Sequence, residues 1–300
     1  MRLRGLTKTF GTTRGIAGVS LDVPTGGVFG FLGPNGAGKS TTIRLILGLY
    51  RPTAGTATVL GLDPWRDGAV LRRRMGYLPG ELSLFPRLTG QETLDRFSAA
   101  RGLSDLRYRT ELVDRFGAEV DRPVHTLSKG NRQKLGLVLA FMDQPELVVL
   151  DEPTSGLDPL VQDEFASLLH ETVATGATVF LSSHDLDEVQ RVVGELAIIR
   201  DGSIVAVDTV QGLRGRSPRR IELWFPGPAP RMAFASLDGV EVLSVADNTM
   251  MLSVAGAVAP VLAAAADQDA VDITARSADL DELFRTFYRS QHRSEAPDAH

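Results

Sequence analysis

Eight residues, Gly33-Pro34-Asn35-Gly36-Ala37-Gly38-Lys39-Ser40, set a flexible backbone, an ammonium and a hydroxyl at fixed spacing. They match G-x-x-x-x-G-K-[ST], a pattern whose chemistry is the cradling of a phosphate chain. Glycines let the main chain wrap closely round an anion. Successive N–H groups form a concave nest, and a helix starting near Lys39 would aim its positive end at the same point. Lys39 is then placed to reach the β- and γ-phosphates, and the Ser40 hydroxyl to bind Mg²⁺. A second segment, Leu147-Val148-Val149-Leu150-Asp151-Glu152, ends an unbroken apolar run in two carboxylates. Asp151 has the place of a Mg²⁺ ligand at a strand end, and Glu152 that of a general base acting on water. The first segment alone says nucleoside triphosphate. The second alone also fits a plain acidic turn ahead of Pro153.

Three further segments narrow the reading. Leu127-Ser128-Lys129-Gly130-Asn131-Arg132-Gln133 lies upstream of the acidic strand, Ser155-Gly156-Leu157-Asp158 lies just beyond it, and Ser182-Ser183-His184 follows another apolar run. In this order the five segments resemble the ATP-binding cassette (ABC) family, with its L-S-G-G-Q signature, D-loop and H-loop. The resemblance implies an α/β P-loop NTPase nucleotide-binding domain with a helical subdomain, and ATP with Mg²⁺ as ligands. It implies ATP contacts from Gly33 through Ser40, from Thr41 and from Asp158, with an adenine-stacking ring at Phe10. Ser40 and Asp151 would hold the metal, with Glu152 and His184 as the catalytic pair. Ser128 precedes a helical pattern and is a natural N-cap. The resemblance implies that Ser128 and Gly130 cap the γ-phosphate held by a second copy of the chain, so that a two-fold homodimer buries two ATP molecules.

The resemblance further implies the ATP-hydrolysing subunit of a membrane exporter, peripheral at the cytoplasmic face through a separately encoded permease of the ABC-2 type. The sequence departs from the family at two places. Tyr77-Leu78-Pro79-Gly80 carries glycine where the family has a glutamine, leaving open whether Glu81 substitutes for it. Lys129 and Asn131 replace the first glycine and the glutamine of the signature. A soluble cassette acting on nucleic acid or the ribosome is the alternative, disfavoured by a single P-loop and the lack of heptad arrays. A non-hydrolysing regulatory cassette is disfavoured because Lys39, Asp151, Glu152 and His184 are all present.

The elements needed to position these groups are legible around them. Val28–Leu32 reads as a strand feeding the glycine loop, and Lys39–Leu49 as the helix after it. Val19–Val23, Leu147–Leu150, Thr178–Leu181 and Leu196–Ile199 read as strands, the later ones apolar enough to be buried on both faces. Thr89-Gly90-Gln91-Glu92 is a capping-box start. Val161, Phe165, Leu168 and Leu169 mark one helix face.

The division expected is 1–213 for the cassette, 214–290 for a small accessory α+β domain of ferredoxin-like kind, and 291–300 for a disordered tail. Arg214 to Arg220 reads as the linker between the first two. The accessory domain is expected as strand 221–225, helix 232–237, strands 240–245 and 250–254, helix 260–266, strand 271–275 and a last helix over 280–288. Arg72-Arg73-Arg74 reads as a solvated helix face.

Composition sets outer limits. The chain has 300 residues, no cysteine and a net charge of −5. Thiolate chemistry and disulfides are excluded, and the charge gives no basic footprint for nucleic acid. Met1–Phe10 has no apolar leader stretch. The charge-free run Met250–Ala266 reads as strand then helix, not as a membrane span. His125, His170, His292 and His300 read as ordinary loop histidines.

Overall fold

The computed structural model describes residues 1–185, 190–216 and 218–276. These divide into two units, Met1–Asp208 and the chain from Thr209 onward. The first unit runs β1 (Arg2–Phe10), β2 (Thr13–Asp22), β3 (Val28–Leu32), α1 (Lys39–Ile46), β4 (Ala54–Thr58), α2 (Gly68–Arg73) and β5 (Met75–Leu78). It continues through α3 (Gly90–Arg101), α4 (Arg107–Phe116), α5 (Lys129–Phe141), β6 (Leu147–Asp151), α6 (Pro159–Ala174), β7 (Thr178–Ser183), β8 (Glu195–Arg200) and β9 (Ser203–Thr209).

Six strands form one sheet in the order β5-β6-β7-β3-β8-β9. The β5–β6, β6–β7, β7–β3 and β3–β8 pairs are all parallel. Every residue of β3, β6 and β7 is buried, as parallel strands covered on both faces must be. Phe180 on β7 lies between Phe29, 6.1 Å away and stacked, and Phe31, 5.2 Å away and tilted. Each such burial contributes roughly 1.5–3 kcal/mol relative to exposure. A second sheet, in the order β2-β1-β4, is antiparallel and shares the hydrophobic cluster of β3 and α1 through Leu3, Leu6, Ile16 and Val19.

Local chemistry sets the helix starts. Thr89 accepts from the Glu92 amide at 3.1 Å, and the Glu92 carboxylate takes the Thr89 amide at 2.8 Å. This completes the capping box of α3. Asp158 accepts from the Val161 amide and is followed by Pro159 at the first position of α6, a combination suited to an abrupt start. On α6, Val161, Phe165, Leu168 and Leu169 face inward as their spacing predicts. Arg72 and Arg74 are not simply solvated: Arg72 donates to Leu47 O at 3.1 Å, and Arg74 pairs with both Glu146 oxygens at 2.6 Å.

The second unit contains α7 (Val210–Arg216), β10 (Arg219–Trp224), α8 (Arg231–Ala235), β11 (Val240–Ala246), β12 (Thr249–Val254), α9 (Ala259–Asp267) and β13 (Asp272–Arg276). Its sheet is antiparallel throughout, in the order β11-β12-β10-β13. Numbering these four strands within the unit gives 2-3-1-4 with a helix in each crossover, the split βαβ arrangement of a ferredoxin-like fold. Ile221, Leu223, Met250, Leu252 and Val254 alternate onto one face and meet Phe234, Val261 and Ala265 of the helices.

The linker expected over Arg214–Arg220 is corrected. Residues 210–216 are helical, with Val210 and Leu213 buried one turn apart, and the Thr209 hydroxyl accepts from the Gly212 amide at 2.9 Å. Arg219 and Arg220 already pair in the sheet. Arginine and glycine density suggested punctuation, but the buried 210/213 pair outweighs it. The break between the units lies at Asp208/Thr209. The expected last helix, the tail, and His292 and His300 lie outside the described residues. Among the described residues no helix is long and apolar enough to cross a membrane.

The large hydrophobic cluster of the first unit closes within that unit, from Leu3 to Ile199. A chain ending at Asp208 is therefore expected to unfold cooperatively, as followed by circular dichroism on heating. An insoluble or non-cooperative product would show that the second unit is needed for folding.

Candidate functional site

The sheet order delivers its chemistry to one edge. β3, β7 and β6 are neighbours and parallel, with Leu32 opposite Ser183 and Asp151 opposite Ser182. Three strand ends therefore emerge side by side, the usual position for ligands in open α/β sheets. β3 continues into the glycine loop and α1, β6 into Glu152, and β7 into His184.

Lys39 is only 6% exposed. Its ammonium donates to Gly33 O at 2.6 Å and approaches Pro34 O at 3.3 Å. Glu152 Oε1 lies 3.1 Å from it. That contact is an ion pair without hydrogen-bond alignment, so Oε1 is buried with no hydrogen-bond partner. Glu152 Oε2 meets His184 Nδ1 at 2.6 Å. Asp151 accepts from Ser40 Oγ at 2.8 Å on one oxygen and from Ser182 Oγ at 2.5 Å on the other. Glu152 itself has φ 53°, and its amide donates to Ser182 O at 3.1 Å.

These groups open onto a cavity of about 520 Å³. Of the residues singled out in the sequence, Pro34, Asn35, Gly36, Gly38 and Lys39 line it from the glycine loop, and Ser40 and Thr41 from α1. Asp151, Glu152 and His184 face it from the neighbouring strand ends. Gly33 supports the wall through its carbonyl, and Ala37 is packed in the core. Gly80 and Glu81 both border the cavity.

Arg14 and Arg44 line it too and belong to no motif in the sequence, whereas Tyr77 and Ser155, which also line it, come from the Tyr77–Gly80 and Ser155–Asp158 segments. Arg44 follows Ser40 by four residues on α1, a helical spacing that would have placed it on the same face. Burial, with Asp151 close by, pushes the Tyr77 phenol up to about 12, so it remains a neutral O–H donor.

Besides Gly33 and Ala37, four expected contact residues do not line this cavity. Phe10 is 42% exposed and meets Tyr50 edge-on at 5.4 Å, set behind Gly15, which does line it. Ser128 caps α5 by accepting from the Asn131 amide at 3.1 Å. Gly130 lies on that first turn, and Asp158 caps α6.

The family whose description is ABC transporter matches residues 16–155. The bacitracin transport ATP-binding protein BcrA of Bacillus licheniformis is 33% identical over 220 residues, covering 72% of each chain. The chain belongs to the ABC transporter ATP-binding family. The daunorubicin/doxorubicin resistance ATP-binding protein DrrA of Streptomyces peucetius is 39% identical over 215 residues, 70% of this chain and 65% of its own. The chain spans 40% of a probable multidrug ABC transporter ATP-binding protein of Escherichia coli, at 35% identity. A solved ATP-binding subunit of an ABC transporter superposes with TM-score 0.67 at 31% identity, over 71% of this chain and 91% of that one. A dimeric cassette solved with ADP and Pi has the same fold, with TM-score 0.64 at 22% identity, over 70% of this chain and 98% of that one.

The cassette's glycine loop is shaped at Gly38. Its φ is 107°, and an added Cβ would lie 2.6 Å from Ile16 Cγ2. Gly38→Ala is expected to cost roughly 1–3 kcal/mol of stability, the scale of a strained non-glycine backbone. Urea denaturation of the two proteins measures this; identical midpoints would mean that the loop relaxes freely.

Proposed function

We propose that this chain is the ATP-hydrolysing subunit of an ABC exporter, working on a membrane permease of the ABC-2 type encoded separately. The observation that carries the reading is the buried Lys39 ammonium, faced by Glu152, with Glu152 in turn bonded to His184. The groups needed for phosphate binding and for activating water thus stand within contact of one another. The family membership, the bacitracin transport name of BcrA and the drug-resistance name of DrrA support the exporter role.

Nucleotide binding would place the phosphate chain along the amides of the glycine loop, with Lys39 turned from Glu152 to the β- and γ-phosphates. Glu152, freed from that pair, would take a proton from the attacking water, and His184 would hold the water and the terminal phosphate in line. Ser40 and Asp151 offer hydroxyl and carboxylate oxygens on one side of the cavity, a donor set that suits magnesium. When bound, the ion would neutralise phosphate charge. Phe10 would stack on adenine at the rim.

Ser128, Gly130 and Asp158 lie outside the cavity of their own chain. The reading therefore takes the active unit to be two copies, each presenting the start of α5 to the nucleotide of the other. The assembly would sit at the cytoplasmic face of the membrane through the permease.

Two variants test the chemistry. Glu152→Gln should bind ATP in calorimetry yet turn over roughly 10²–10⁴-fold more slowly, the range attributable to a general base, and should accumulate as an ATP-bound dimer. Wild-type turnover would remove Glu152 from the role of base. Lys39→Ala should lose ATP affinity, because the remaining lysines are Lys8, Lys129 and Lys134 and none of them lines the cavity. Unchanged binding would remove the phosphate-cradle reading itself.

A further inference from the structure

Glu152 holds a left-handed backbone, φ 53°, a conformation that a bulky side chain keeps only where its surroundings impose it. One restraint comes from β7, through the Glu152 amide and Ser182 O. A second set of restraints comes from α5, none of whose residues lines this cavity.

Gln133, on the second turn of α5, is 5% exposed. Its side-chain nitrogen lies 2.9 Å from Pro153 O and 3.4 Å from Glu152 O. Both neighbours are carbonyls, so the amide must present its N–H groups to them. Pro153 has no N–H and is itself buried, so its carbonyl depends on such a donor.

Two more residues of α5 grip the same loop. Lys129 Nζ donates to Ser155 Oγ at 2.7 Å, with its methylenes close to Gly156. Gly130 lies so near that a Cβ there would be 2.7 Å from Gly156 O. Ser155 in turn lines the cavity.

We propose that Gln133 is a positioning residue for Glu152, with Lys129 as a second anchor on the same loop. Together they fix the backbone from which the carboxylate reaches Lys39 and His184. The proposal rests on reading Glu152 as the base. It gives α5 a role inside its own chain in addition to any contact with a second copy. It also gives Lys129, which departs from the family signature, a specific task.

The test uses the full chain and four substitutions. Gln133→Met keeps the length of the side chain and removes its donors. We expect kcat for ATP hydrolysis to fall roughly ten- to a hundredfold, the scale produced by small misplacement of a reacting group. ATP affinity by calorimetry should stay near the wild-type value, while the melting midpoint falls by several degrees as the buried Pro153 carbonyl loses its donor. Lys129→Ala, at an exposed position, should lower kcat by a smaller factor, with Lys129→Arg restoring it. Unchanged kcat in Gln133→Met overturns the proposal, as does a fall of kcat matched by an equal fall of ATP affinity, which marks a merely structural residue. Glu152→Gln is assayed alongside. Full turnover there sinks the reading of the base, whereas lost turnover there with full turnover in Gln133→Met overturns the positioning role alone.

Discussion

A lysine ammonium taken out of water is the constraint on which the site depends. An unpaired buried cation is strongly disfavoured, so Lys39 must be satisfied by what the fold places round it. Gly33 O and Pro34 O supply two acceptors, and Glu152 supplies the opposing charge. The need for that carboxylate ties the glycine loop after β3 to the end of β6, and His184 ties the same carboxylate to the end of β7. Three separate strand ends thereby share one electrostatic centre. A phosphate chain entering the cavity would compete with Glu152 for the ammonium, so binding and release of the carboxylate would be coupled by charge alone.

The parallel sheet makes this convergence possible. Because β6, β7 and β3 are adjacent and run the same way, residues more than a hundred positions apart in sequence meet at hydrogen-bond distance, as Ser40 and Asp151 do. Burial on both faces leaves these strands little freedom to shift register. A slip of one residue would turn Asp151 away from Ser40 and Ser182 together.

The parts of the fold legible in the sequence were those where a local pattern and a tertiary role coincide. Val28–Leu32 and Leu147–Leu150 are apolar without interruption because both faces are covered. Thr89 to Glu92 carries its capping box within four residues. The β1 strand was not legible for the converse reason: its register shifts between Leu3 and Leu6 and again before Lys8, which breaks the alternation that marks a half-buried strand. The helix over 210–216 was hidden by arginines and glycines whose local tendency is overridden by burial of Val210 and Leu213. In the site, the glycine loop, Asp151, Glu152 and His184 were legible from motif order. Arg14 was not, since its place at the cavity depends on packing between distant elements. Gln133 lies in the signature segment, but only the carbonyls opposite it reveal its use.

The backbone at Glu152 has a consequence for how this chain could change. A non-glycine residue in that left-handed turn costs about 1–2 kcal/mol, a cost glycine would not incur. Replacing the carboxylate with glycine would relieve that turn but leave the buried Lys39 ammonium without its counter-charge, a loss that outweighs the relief. A heat-tolerance screen and an activity screen would therefore both keep an acid at position 152, and the strained turn persists because the side chain it carries neutralises a buried charge.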